Sequence, residues 1–232
     1  MRGTLTHKRT SSKSAGIRLA VTGKMTVAKG GKVTADERSS FQSTCRSGGC
    51  YAMSYGGTGT PPSWSYSNLA YGSVSDPDDL GSFASAYGDY YAGGLVLVTA
   101  GSLDLAGEIS ARGKRLSSGG TVNIKITGAG AITGSGAIDV SVVRQSSGCD
   151  GNSNGGGGGR VSVTGFGSIT TAVLDNVKMD GNPSCRSGAG TYVESRMLSP
   201  LLPASLFMWR RVAGCGTFVP CLVESVSLSK HM

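Results

Sequence analysis

Four times along this chain a glycine runs straight into a short alternating strand: Gly16-Ile-Arg-Leu-Ala-Val, Gly94-Leu-Val-Leu-Val, Gly120-Thr-Val-Asn-Ile-Lys-Ile and Gly159-Arg-Val-Ser-Val. Each then meets Thr22-Gly23, Ala100-Gly101, Thr127-Gly128 or Thr164-Gly165. Strands that recur every few tens of residues, with almost no helix-forming sequence between them, are expected to stack as units that share one core. The expected fold is therefore all-β, a β-solenoid.

Two units align almost position for position. Ile17, Leu19, Met25, Val27, Val33 and Ala35 correspond to Leu95, Leu97, Leu103, Leu105, Ile109 and Ala111, with a two-residue insertion around Gly30-Gly31. Apolar residues fall at every second position, so one face is buried and the other carries Arg18, Lys24, Asp104 or Glu108. Three short strands per unit, with Thr-Gly or Ala-Gly corners, describe one coil of a parallel β-helix, each strand pairing with its equivalent about 4.8 Å away. A third unit uses Val122, Ile124, Ile126, Ile132, Ile138, Val140 and Val142. A fourth uses Val161, Val163, Ile169, Val173, Val177 and Met179, and a fifth opens at Gly190-Thr-Tyr-Val. The prediction is a parallel β-helix of about four to five coils. Steps of 27 residues from Leu95 to Val122 and 39 from Val122 to Val161 make the coils unequal, the excess emerging as loops.

Three stretches carry a resemblance: Gly94-Leu-Val-Leu-Val-Thr-Ala-Gly-Ser-Leu-Asp-Leu-Ala-Gly-Glu-Ile-Ser-Ala, the glycine run 155–159 before Arg160-Val-Ser-Val, and Tyr71-Gly-Ser-Val-Ser-Asp-Pro-Asp-Asp-Leu-Gly81-Ser. In these the chain resembles the glycine-rich parallel β-helix proteins of microbial and protist surfaces, related in fold to the pectin-lyase-like right-handed β-helices. The resemblance spans roughly residues 16–195. It implies an extracellular or cell-surface setting and says little about activity.

Composition fits this placement. Of 38 glycines, 35 lie between residues 16 and 195, and charged residues are only 16%, which excludes a helical or doubly wound fold. Regular Val, Ile and Leu alternation supplies the burial that a disordered glycine-rich linker lacks. The expected organisation is a basic tail over 1–15, one β-helix domain over 16–195 with a long loop insertion at about 36–93, and an anomalous tail over 196–232. There the glycines thin out and the alternation stops.

The formal charge of +8 is concentrated: residues 1–38 carry nine Lys and Arg against Asp36 and Glu37, and the remainder has 13 basic and 12 acidic residues. With no helix-turn-helix, zinc-finger or RNA-binding pattern beside it, the basic stretch is expected to be solvated and not to bind nucleic acid. The basic start lacks the apolar run of a secretory signal. No stretch reaches 18 uninterrupted apolar residues; the nearest, Met197 to Trp209, is broken by Pro200 and Pro203. The missing signal and the abrupt tail point to a fragment or a faulty gene end.

Six cysteines bear on compartment. Cys45 and Cys50 flank Arg-Ser-Gly-Gly, while Cys149 and Cys185 each precede a glycine-rich run into a strand. These four are disulfide candidates, and their pairing implies an oxidising compartment. No Cys-x-x-Cys pair exists and His7 and His231 lie near the ends, so neither a metal site nor a cofactor is expected.

The segment from Phe41 to Tyr91 holds seven of the eight tyrosines together with Trp64. Planar rings suit the apolar faces of sugars, which makes Trp64, Tyr66, Tyr71, Tyr87, Tyr90 and Tyr91 candidate glycan contacts. The competing reading is that they pack on one another to anchor the insertion. Catalysis in pectin-lyase-like enzymes needs carboxylates, often with a basic residue, converging from neighbouring coils. Asp76, Asp78 and Asp79 look like turn chemistry, and Asp104, Glu108 and Asp139 fall on separate strands, so no catalytic residue is assigned. The glycine run 155–159 leads into a strand and lacks a following Lys-Ser/Thr, which rules against a phosphate loop. The expectation is a monomeric, non-catalytic structural or adhesive module that contacts glycans or other surface proteins. The alternative is a carbohydrate-active lyase or glycoside hydrolase, which should place at least two carboxylates and a basic residue in one groove, whereas a structural stalk should present scattered outward charges.

Overall fold

Alternation at Val122, Ile124 and Ile126 turns one face of β7 (Thr121–Ile126) inward, and the neighbouring strands repeat the pattern. The computed structural model describes residues 3–41, 54–59, 70–83, 91–143, 155–182, 187–196, 208–212 and 222–223, the last two as backbone. In the largest sheet β2 (Ile17–Val27), β4 (Leu95–Leu105), β7, β11 (Arg160–Phe166) and β14 (Thr191–Arg196) lie side by side, all parallel. The second half of β4 continues against β8 (Ala131–Thr133), which pairs β12 (Ser168–Ile169).

A second parallel sheet runs β1 (Thr4–Leu5), β3 (Lys32–Thr34), β5 (Glu108–Ser110), β9 (Ala137–Asp139) and β13 (Val177–Lys178). A short pair, β6 (Gly113–Lys114) with β10 (Val142–Val143), is also parallel. Only at β15 (Met208–Val212) and β16 (Leu222–Val223) do pairings in the largest sheet turn antiparallel. The sole α-helix among the described residues, Thr171–Asp175, is short and buries Val173. The protein is thus mostly β, with parallel sheets whose neighbours come from successive repeats. The stretch that the sequence sets apart as a basic tail contributes β1, and Thr10 bridges to Ser39.

Side chains from both sheets meet in one apolar cluster. Leu103, Leu105, Ile109, Val122, Ile124 and Val140 are all fully buried. The register differs from the sequence alignment by one residue in the first strands. Ile17 pairs with Val96 and Leu19 with Val98, and a bulge between Val21 and Lys24 restores Met25 to Leu103. Because a strand's side-chain period is two, that slip moves Leu95 and Leu97 to the outward rows and Val96 and Val98 to the core. The run Leu95-Val96-Leu97-Val98 is apolar throughout, so alternation gives no phase there. From β4 onward a glycine column is kept, with Gly94, Gly120, Gly159 and Gly190 preceding aligned positions and Thr121, Arg160 and Thr191 donating their amides to the carbonyls of Gly94, Gly120 and Gly159, whereas Gly16 falls beside Leu95 and outside the column. At Gly159 a Cβ would run into the Gly120 carbonyl, so close approach of the two backbones requires glycine there.

Candidate functional site

The outward positions of β7 and β11 are polar, yet much of the region is buried. Thr121 and Ser162 are fully buried and Asn123 and Arg160 are 3% exposed, because residues 54–59 and 70–83 lie over them. Buried polar groups need partners, and the covering segments supply them. Tyr55 donates to Thr121 Oγ1 (2.5 Å), whose single proton goes on to the Asp79 carbonyl (2.6 Å). Asn123 Nδ2 donates to Asp76 Oδ1 (2.8 Å) and to the Pro77 carbonyl (3.1 Å), and Ser162 Oγ to the Ser75 carbonyl (2.9 Å). Arg160 donates Nη2 and Nε to the Tyr71 carbonyl (2.7 and 3.2 Å), and Thr191 Oγ1 donates to the Gly56 carbonyl (2.9 Å). Lys125 and, second, Asn123 hydrogen-bond the Asp76 carboxylate and hold its pKa below the usual range, against partial burial.

Two of the candidate glycan contacts fall in this region. Tyr71 tilts against Tyr55 with ring centroids 5.0 Å apart, and its hydroxyl donates to the Leu80 carbonyl (2.9 Å) while accepting from Ser82 (2.8 Å). Burial is the largest influence on both phenols and pushes them well above the ordinary tyrosine value. Tyr91 stacks on Phe83 (5.0 Å, 13°) with the Arg9 guanidinium 3.2 Å from its ring centre. Trp64, Tyr66, Tyr87 and Tyr90 lie outside the described residues, as do Cys45, Cys50, Cys149 and Cys185.

The convergence that sequence spacing does not reveal is on the second sheet. Val33, Ile109 and Ile138 share an inward column, which sets Thr34, Ser110 and Asp139 in the next, outward row. Two residues further on, Asp36 stands beside Arg112. Its carboxylate accepts the Arg112 amide on Oδ1 (2.7 Å) and Nε and Nη2 on Oδ2 (2.8 and 2.6 Å). Arg112 Nη2 also lies 3.2 Å from Glu108 Oε1, and Nη1 lies 3.8 Å from Asp139 Oδ2. Lys32 approaches Glu108 from the neighbouring strand (3.1 Å), while Ser141 donates both amide and hydroxyl to Asp139 Oδ1. Three carboxylates and an arginine thus meet at one place, 23%, 20%, 9% and 30% exposed for the side chains of Asp36, Glu108, Asp139 and Arg112. The signal that could have found it is the alignment of Ala35 with Ala111, which puts Asp36 opposite Arg112, read together with the alternation of Ile138 with Val140, which puts Asp139 outward.

This arrangement limits the chemistry. Burial works against the Arg112 charge, but the hydrogen bonds and charge of Asp36, with the charges of Glu108 and Asp139, more than offset it and raise the guanidinium pKa. An arginine held cationic in this way is a poor proton abstractor and a good clamp between strands. Other outward charges pair likewise across neighbouring repeats: Lys24 with Asp104 (3.0 Å) and Lys114 with Glu37 (3.6 Å). Among the described residues no group of three or more His, Cys, Asp or Glu is arranged to hold a metal ion. No described helix is long and apolar enough to cross a membrane. No family model, curated protein or solved structure matches the chain.

Proposed function

We propose that this chain is a non-catalytic structural or adhesive module of a cell-surface or secreted protein, built as a parallel β-helix of four to five coils. Its kinship is with the glycine-rich, pectin-lyase-like class, and it contacts glycans or other surface proteins through the aromatic insertion. The observation that carries the reading is the fate of the outward charges: Lys24–Asp104, Lys32–Glu108, Arg112–Asp36 and Lys114–Glu37 all tie the first repeat to the second, and Arg112 reaches Asp139 of the third at 3.8 Å. Such pairs brace a stack and leave little acid or base available for chemistry. The insertion adds to the brace, since Tyr55 and Tyr71 use their hydroxyls on the protein itself. Glycan contact then rests on Trp64, Tyr66, Tyr87 and Tyr90, with the exposed parts of Tyr71 and Tyr91. Trp64→Ala is expected to abolish a specific glycan-array signal at unchanged thermal stability; loss of stability with no signal in the parent would reduce these rings to packing.

The gathering of Asp36, Glu108, Asp139 and Arg112 favours a second reading, a carbohydrate-active lyase or glycoside hydrolase. Incubation with neutral and acidic polysaccharides, read as new reducing ends and new unsaturated ends, separates the two. The structural reading predicts neither product. Turnover by the parent that vanishes in a folded Asp139→Asn or Glu108→Gln variant would replace it with the enzymatic one.

A further inference from the structure

Residues 3–10 lie as a strap along the second sheet. β1 is the terminal strand of that sheet and pairs β3, the Lys32 amide donates to the Gly3 carbonyl (2.8 Å), and Leu5 packs against the core. Further along, Arg38 Nε donates to Thr6 Oγ1 (3.2 Å). The Thr10 amide donates to the Arg38 carbonyl and the Ser40 amide to the Thr10 carbonyl, both at 2.9 Å. Arg9 donates Nε to the Glu37 carbonyl (3.4 Å) and sets its guanidinium over the Tyr91 ring, which stacks on Phe83. The strap therefore closes the outer edge of β3 and occupies one face of Tyr91.

At its middle His7 is half-buried. Its Nε2 sits 2.9 Å from where a Cβ at position 94 would stand, so the ring takes space that only glycine leaves open, and the Ala35 and Arg38 side chains line the same space. Nδ1 donates to the Lys8 carbonyl (2.7 Å), which leaves Nε2 as the bare nitrogen, buried with no hydrogen-bond partner. A positively charged N–H without an acceptor is far costlier in such a place than a bare nitrogen. The charges around the ring add to that cost. The segment 35–38 packed against it carries Asp36, Glu37 and Arg38; Asp36 is held by Arg112 and Glu37 by Lys114, while Arg38 stands as a cation near the imidazole and Lys8 follows it on the strap. The stretch from Tyr91 through Gly94 into β4 brings no charge until Asp104. We propose that residues 3–10 are an acid-released strap latched by His7, and that its release uncovers the β3 edge and the face of Tyr91 now under Arg9. Protonation puts an N–H with no acceptor beside Arg38, and the strap relieves this by leaving the sheet. Burial, the main cause, and Arg38 both hold the ring's pKa below 6.5, so the closed strap is favoured above that value and loses ground as pH falls through it. The latch stands on these contacts; only a gain in glycan contact at Tyr91 rests on the function proposed above.

Amide hydrogen exchange on the intact chain, corrected for the intrinsic pH dependence of exchange, reads the strap with no glycan present, so failure of the latch and failure of glycan contact are told apart. Between about pH 7.5 and about pH 5, protection of the Lys32, Thr10 and Ser40 amides should fall roughly threefold or more, while β7 keeps its protection. His7→Gln, uncharged throughout, should lose this dependence. A second readout needs no variant: the imidazole nitrogen shifts of His7 in the parent should titrate with the same midpoint as the amide loss. Protection in the strap that ignores pH, an equal acid-driven loss in His7→Gln, separate midpoints for ring and amides, or a loss shared by β7 would each overturn the proposal.

Discussion

Gly159 and Gly23 stand at opposite extremes of what a methyl group would meet. A Cβ on Gly159 strikes the Gly120 backbone, which has no room to yield, whereas Gly23 has nothing within 4 Å and is not in the left-handed region. Gly159→Ala should therefore cost about 1–3 kcal/mol, while Gly23→Ala should stay within roughly 0.5 kcal/mol of the parent; thermal unfolding of the two variants checks the contrast. His7 gives a second residue-scale prediction. Its Nδ1 donates to the Lys8 carbonyl (2.7 Å), and its ring lies over Gly94, where Nε2 is buried with no hydrogen-bond partner. Burial is the main cause that lowers its pKa, Arg38 lowers it further, and the Lys8 carbonyl opposes them. The unfolded chain then takes up a proton more readily than the folded one. Stability from the neutral ring is present above the ordinary value of 6.5 and falls as pH drops through it. His7→Gln should flatten that part of the stability-versus-pH curve; an unchanged curve would mean that the ring is effectively solvated.

At the scale of the elements, the strands are held by two different kinds of contact. Inward columns are apolar, and Ile124→Ala in the middle of β7 should cost about 2–5 kcal/mol because the cavity has little means of closing. Outward rows are joined by ions, with Arg112 as their centre. Replacing it by methionine leaves Asp36, Glu108 and Asp139 facing one another, so the loss should exceed that of an exposed pair and shrink as salt screens the repulsion. Denaturant unfolding of Arg112→Met at low and high salt reads this directly; a loss independent of salt would assign the residue to packing alone. The elements differ in how far their sequence revealed them. Val122-Asn-Ile-Lys-Ile has an unambiguous phase, and β7 is legible from it. Leu95-Val-Leu-Val has none, and aligning Gly16 with Gly94 gives a register one residue away from the one formed, because a bulge between Val21 and Lys24 takes up the difference. The Arg112 cluster was hidden for a related reason, because its members are separated by 76 and 27 residues and meet only once the inward columns are aligned.

For the whole molecule, the repeat pattern announced parallel stacking, and the parallel sheets are what the chain forms. The covering of the outward face was less legible. Nothing in Tyr71-Gly-Ser-Val-Ser-Asp-Pro-Asp-Asp-Leu states that it will lie on Asn123 and Ser162, since those contacts join residues 47 and 87 apart. Tyrosines that suit a sugar in isolation suit the protein's own surface equally well, which is why ring content alone did not separate packing from binding at Tyr55 and Tyr71. In the large parallel sheet Leu19, Val98, Ile124 and Val163 stand in one inward column. Methyl-selective NMR on the intact chain tests it most directly, by recording nuclear Overhauser contacts among those four side chains. Contacts are expected from Leu19 to Val98, from Val98 to Ile124 and from Ile124 to Val163. Contacts from Leu19 to Leu97 in place of Val98, or no contact between Ile124 and Val163, would contradict the register and the stack built upon it.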